Sequence, residues 1–372
     1  MEAVSMVTAE SQTINITEDF NSTGWSLVHT IVPPYIFIVC VTGILGNAFV
    51  LLVFALHKAR WTVPEIYLGN LAIADLLLLA GLPFWAMNIL NRFNWPYGDF
   101  LCKAVNISIV GNMYTSIYLL MVVTIDRYLA LVRTMTARWM RRTRYAKVIC
   151  VVLWLFGFTM TTPMIIHRRV KYVPFLRTVA CLIDYPGESW KIANHISMTL
   201  VGFALPSIII VFCNCKIVIA LRGRGEHVFA QDKNDTKAIK LIYAVLLLFF
   251  ICWCPFHLFT FLDLLCDLHI LDINSWDHVL DIGNQFSTYL AFLNSCLNPV
   301  LYVFAGQYFR KMIAEIHRRN KTRRQSEDLA LQRSVISTYL QRIPQLNPAL
   351  FTPNNKKSNL HAQETKQLHT AM

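Results

Sequence analysis

Seven stretches of this chain are each long and apolar enough to cross a lipid bilayer, and nothing else in the sequence limits the fold as much. A membrane helix needs about 20 mostly apolar residues. Such stretches fall at roughly 34–57, 65–90, 100–132, 146–166, 190–221, 238–265 and 278–304. Hydrocarbon offers the backbone no hydrogen-bond partners, so each stretch must be helical. The predicted fold class is an all-α membrane protein, a seven-transmembrane helix bundle. Charged residues make up 15% of the chain, against roughly 25% in soluble domains.

The net charge of +12 would suit nucleic acid if it formed one surface. It does not. Lys58 and Arg60 follow the first span, Arg133, Arg138, Arg141, Arg142, Arg144 and Lys147 the third, and Arg222, Arg224, Lys233 and Lys237 the fifth. This positive-inside pattern sets the amino terminus outside and the carboxyl terminus inside. It marks a multi-pass membrane protein with no role in binding nucleic acid.

Residues 1–33 carry Glu2, Glu10, Glu18 and Asp19, no Lys or Arg, and no apolar core of the signal-peptide kind. They read as an extracellular tail, glycosylated at the sequons headed by Asn15 and Asn21. Sequons at Asn106, Asn234 and Asn320 fall in a helix or on the inner side. After the bundle, 34–304, comes a stretch, 305–319, in which Phe309, Met312, Ile313 and Ile316 alternate with Arg310, Lys311, Arg318 and Arg319. That spacing predicts a short amphipathic eighth helix on the inner membrane face. Residues 320–372 are polar and are expected to be disordered. No inverted repeat supports a transporter or channel, and no paired catalytic groups support an enzyme.

Polar side chains within a bilayer need a reason. Asp75 lies mid-span in the second segment, with Asn47, Asn112, Ser116, Asn294, Ser295 and Asn298 at comparable depth. These oxygens suit an ordered water, a monovalent cation such as sodium, or an ordinary interhelical hydrogen-bond cluster. Prolines 83, 163, 206, 255 and 299 interrupt spans. Two adjoin unusual groups, Cys252-Trp253-Cys254-Pro255 and Asn298-Pro299-Val300-Leu301-Tyr302, and make candidate hinges. Asp126-Arg127-Tyr128 closes the third span at the inner edge, where Asp126 and Asp235 are both candidate tethers for Arg127. Cys102 and Cys181 face the oxidising side and are predicted to pair, which leaves Cys266 without an evident mate. The outer ends of spans six and seven carry Asp263, Asp267, Asp272, Asp277 and Asp281, with no Lys or Arg between the first and last. The middle three read as a solvated acidic loop.

Together these residues resemble the rhodopsin-like G protein-coupled receptors over about 30–320. The match runs through Gly46-Asn47, Leu71-Ala72-Ile73-Ala74-Asp75, Cys102 with Cys181, Asp126-Arg127-Tyr128, Trp154, Pro206, Cys252-Trp253-Cys254-Pro255 and Asn298-Pro299-x-x-Tyr302. Within that superfamily the chain looks like a kinin (bradykinin) receptor. The residues that say so are Val63-Pro64-Glu65-Ile66-Tyr67-Leu68-Gly69-Asn70, Gly81-Leu82-Pro83-Phe84-Trp85-Ala86, Thr260-Phe261-Leu262-Asp263 and Asn294-Ser295-Cys296-Leu297. Val110, where the first kinin subtype has Lys, places it nearer the subtype that binds intact kinins.

The resemblance implies a small cationic kinin-like peptide as ligand, bound at the outer end by Asp263, Asp281, Arg168, Val110, Trp85, Trp253, Phe256 and Gln285. It implies a heterotrimeric G protein of the Gq class, with phospholipase C and calcium release, coupled through Asp126, Arg127, Tyr128, Asp235, Asn298, Pro299 and Tyr302. It also implies sodium as a negative modulator at Asp75, Asn112, Ser116, Asn294 and Asn298. Arrestin and receptor kinases would engage the Ser/Thr-containing tail. Three departures stand out: Cys266 lacks the usual amino-terminal partner, no Cys follows Cys296, and Asn214 replaces a helix-five Tyr. Angiotensin- and chemokine-type receptors are the nearest alternatives, and chemokine receptors usually have a Cys in the amino-terminal tail, which is absent here.

Overall fold

The computed structural model describes residues 23–57, 61–133, 142–174, 177–222, 229–300 and 307–346. It separates into residues 1–310 and 311–372 as two compact units. The first holds α1 (Thr23–Leu56), α2 (Val63–Leu90), α3 (Gly98–Leu131), α4 (Thr143–His167), α5 (Glu188–Arg222), α6 (Phe229–Asp267) and α7 (Ile273–Val300). Six of these are long and apolar enough to span a membrane on composition alone. The seventh, α7, has 28 residues, enough length to cross. Its composition is polar because Asn284, Gln285, Ser287, Thr288, Asn294, Ser295 and Asn298 are all buried against the other helices.

α1 packs on α2 and α7, α2 on α3, α3 on α4 and α5, and α6 on α7. The approach of α1 to α7 depends on Gly46, where an added Cβ would lie 3.0 Å from Pro299. Large apolar side chains such as Leu45, Val148 and Ile208 cover the outside, as lipid requires. At the inner turn before α2, Glu65 is 2% exposed yet satisfied. Its carboxylate accepts the Thr62 backbone N–H in a capping box and lies 3.7 Å from His57 Nδ1.

The first helix starts earlier than hydropathy suggests. Residues 23–33, expected in the tail, are helical, and Pro33 and Pro34 lie inside α1. Burial explains this: Trp25, Val28 and Val32 are in the core. The Trp25 ring meets Phe93 edge-on at 5.6 Å, and His29 Nδ1 lies 2.8 Å from the Ile89 carbonyl oxygen. In α5 the helix widens into a π turn at Leu200–Ala204, immediately before Pro206, whose missing N–H cannot complete the regular ladder. In α4 a break at Thr161 precedes Pro163 at the start of the last helical turns.

The outer connection between α4 and α5 is an antiparallel hairpin, β1 (Arg168–Val173) and β2 (Thr178–Ile183), with Val170 opposite Cys181. Cys181 is disulfide-bonded to Cys102 of α3, Cα to Cα 5.7 Å. Two further bonds hold the hairpin down: Trp95 N–H donates to Val179 O at 2.7 Å and Val170 N–H to Asp99 Oδ1 at 3.1 Å.

α8 (Gln307–Leu346) corrects the boundary at 319. Residues 320–346, expected to be disordered, continue the helix. Its first Pro is Pro344, and two i,i+4 pairs support it: Arg319–Glu315 and Arg323–Glu327, both 2.7 Å.

Candidate ligand-binding site

At the outer end, a partly open cavity of about 40 Å³ is lined by β1, β2, the loop after β2, and α4, α5, α6 and α7. Arg168 and Asp263, both ligand-binding residues by the resemblance, line it. So do Ile183, Tyr185, Asn194, His195, Thr260 and Asn284. Arg168 is 2% exposed, and its guanidinium stands 6.0 Å from the Trp85 ring centre, within cation–π range. Asp263 Oδ2 accepts a hydrogen bond from Asn284 Nδ2 at 2.8 Å. The cavity therefore carries a buried cation from β1 and a carboxylate from α6 on its walls.

A deeper cavity, lined by Leu78, Ile109, Val110, Asn112, Met113, Trp253, Thr288, Ala291 and Phe292, shares Phe256 with the outer one. Val110, Trp253 and Phe256 thus line one cavity. Gln285 is buried on α7 and accepts the Tyr289 hydroxyl proton. Asp281 is half-buried, one turn outward on α7, and lines neither cavity.

The acidic loop is not uniformly solvated. Asp267 is 9% exposed and bridges α6 to α5, with Lys191 Nζ at 2.7 Å and His195 Nδ1 at 3.0 Å. Lys191 and His195 are spaced i,i+4 and so share a face of α5. Sequence reasoning missed His195 and Asn284, because neither residue means anything until the helices fix its neighbours.

Below the deep cavity, Asp75 is fully buried. Its carboxylate accepts Asn112 Nδ2 at 3.1 Å and Asn298 Nδ2 at 3.0 Å, and Ser295 also reaches it. Asn47 donates to the carbonyls of Gly43 and Ser295, each at 2.9 Å. Ser116 Oγ is buried with no hydrogen-bond partner among the described residues. Asn294 is buried on α7, but the α7 groups described on the carboxylate are Ser295 and Asn298.

At the inner end Asp126 is buried and Arg127 exposed, while Tyr128 packs near Phe212 at 6.3 Å. Asn214 donates to Ile210 O at 2.8 Å within its own helix. The Asp235 side chain, Tyr302, Asn15 and Asn21 lie outside the described residues.

Residues 46–302 match the family model of the 7 transmembrane receptors (rhodopsin family). The B2 bradykinin receptor of Cavia porcellus is 47% identical over 79% of both chains. That of Oryctolagus cuniculus is 45% identical over 79% of this chain and 80% of its own. This chain belongs to the bradykinin receptors of the rhodopsin family. The B1 bradykinin receptor of Homo sapiens is more distant, 40% identical over 79% of this chain and 84% of its own. As a rhodopsin-family receptor the chain is a multi-pass protein of the plasma membrane, and the Cys102–Cys181 bond closes its outer face.

Proposed function

We propose that this receptor binds a small cationic kinin-like peptide at the outer cavity and activates a heterotrimeric G protein of the Gq class, with phospholipase C and calcium release downstream. The observation that carries the ligand assignment is that residues of opposite charge line one cavity: Asp263 to hold an amino-terminal guanidinium and Arg168 to meet a carboxyl terminus. The relatives named for bradykinin support the same class of peptide. Arg127, exposed at the inner end of α3, is the proposed contact for the G protein, and Asp126, Tyr128, Asp235, Asn298, Pro299 and Tyr302 are proposed to act with it in coupling. Arrestin and receptor kinases are proposed partners of the Ser/Thr-containing tail.

A sodium ion fits the Asp75 cluster as a modulator. A hard cation needs several oxygens; the Asp75 carboxylate and the buried Ser116 hydroxyl offer theirs, and Asn112 and Asn298, whose amide nitrogens donate to the carboxylate, would turn their oxygens to the ion. The ion would neutralise a carboxylate that otherwise rests on neutral donors alone. Asp75 and its neighbours hold the ion in the resting arrangement of the helices.

The test is calcium release from cells expressing the receptor, challenged with kinins that keep or lack the carboxyl-terminal Arg. The expected result is a response at lower concentrations of the intact peptide. Silence toward every kinin at verified surface display would refute the proposal.

A further inference from the structure

The part of α8 beyond the amphipathic stretch carries a concentrated cationic surface. Between Lys311 and Asp328 there are six Lys or Arg residues against three acids, a net charge of +3. Arg318, Arg319, Thr322, Arg323 and Ser326 together line one open concave patch along the helix, and all five are exposed. Two of the acids are already engaged, Glu315 by Arg319 and Glu327 by Arg323. The serine in the patch follows two arginines, Arg323-Arg324-Gln325-Ser326, and its hydroxyl donates to Arg323 O at 3.1 Å.

We infer that this cationic turn of α8 docks on the anionic phosphatidylserine surface of the inner leaflet, and that phosphorylation of Ser326 releases it. Basic clusters just inside a membrane helix are drawn to such a leaflet, each Lys or Arg strengthening attachment by about fivefold. The net charge of +3 complements that anionic leaflet. In sequence this turn follows α7, on the side that the positive-inside pattern assigns to the cytoplasm.

The Arg-Arg pair before Ser326 is what an acidic kinase groove reads through bidentate contacts. A basophilic Ser/Thr kinase would pass the γ-phosphoryl of ATP to Ser326 Oγ. The P–O bond to ADP breaks as the new P–O bond forms, and the hydroxyl proton goes to the kinase's base. The phosphate adds a charge of about −2 at neutral pH. That offsets most of the net +3 on this stretch. It also places an anion three residues from Arg323 and seven from Arg319, on one face, where both guanidinium groups turn inward to it and away from lipid.

The test uses the full-length receptor in nanodiscs of phosphatidylcholine alone or with phosphatidylserine, and reads hydrogen exchange over 311–330. Exchange is expected to slow by about fivefold or more with phosphatidylserine. High salt should remove the difference. Treatment with the kinase and ATP should phosphorylate Ser326, as read by mass spectrometry, and restore fast exchange. The Ser326→Ala variant should keep slow exchange after the same treatment. Equal exchange in the two lipids overturns the lipid surface, and undiminished protection of the phosphorylated receptor overturns the switch. Failure of the kinase to modify Ser326 overturns the modification site.

Discussion

Substituting Asp263 by Asn removes a charge from the outer cavity while nearly preserving volume. The Asn284 amide donates to Asp263 Oδ2 at 2.8 Å, and an Asn in that place still offers an oxygen to it. The receptor should therefore fold and reach the surface normally. What changes is the bond to a cationic ligand. A hydrogen bond to a charged group contributes about 1.5–3 kcal/mol and a neutral one about 0.5–1.5 kcal/mol. The loss is about 1–1.5 kcal/mol, or roughly tenfold in Kd. A full Coulomb interaction at about 4 Å in an intermediate dielectric would give more, about 4 kcal/mol, which sets the upper end. The assay is competition binding with two peptides, one bearing an amino-terminal Arg and one with that Arg replaced by a neutral residue. Two peptides on two receptors form a cycle, and the coupling term isolates the Arg–Asp263 contact. If both peptides lose affinity equally, Asp263 shapes the cavity and does not sense charge, and the ligand assignment fails. Asp281→Asn should show a smaller coupling, because Asp281 does not line the cavity.

If Asp75 holds sodium in the resting state, linkage requires sodium to weaken agonist binding. Asp75→Asn should then abolish most of the sodium effect relative to a potassium control, and an unchanged salt response would rule the ion out. Losing the Cys102–Cys181 bond through Cys181→Ser removes a constraint of about 2–4 kcal/mol. It should lower surface display or peptide binding, and normal values for both would contradict that. Neutralising Asp235 should raise ligand-independent calcium signalling modestly, since an interfacial ion pair contributes about 0–1 kcal/mol. Basal signalling unchanged at matched surface display would dismiss the tether.

Hydropathy made the helical spans legible, because lipid imposes one solution on any long apolar stretch, and the Lys and Arg between them gave their direction. It misplaced the start of α1. Thr23, Gly24 and Ser26 lower the local hydropathy, and what keeps those turns helical is Trp25 against Phe93, a contact between residues far apart in the chain. The end of α8 escaped for the opposite reason. Residues 320–346 are polar enough to read as unstructured, but Arg323 and Glu327 pair at i,i+4 spacing, as Glu315 and Arg319 do just before, which supports a helix without a core. Asp75, Asn112 and Asn298 were legible as one site because buried polar side chains are rare in lipid and stand out. The clasp of Lys191 and His195 on Asp267 was not, since each residue by itself suits a solvated rim.

The disulfide has a topological effect separate from its energy. Cys102 begins α3 and Cys181 lies 79 residues later, beyond α4 and the turn of the hairpin. The bond therefore makes a closed covalent ring that crosses the membrane twice, out of a chain otherwise linear. A protease that cuts the inner connection between α3 and α4, at Arg138, Arg141 or Arg142, opens the ring without dividing the molecule. Such a cut receptor would run as one species until reductant is added, and only then as two. The amino-terminal and carboxyl-terminal parts of the bundle thus stay tethered at the mouth of the ligand cavity even when the backbone between them is severed.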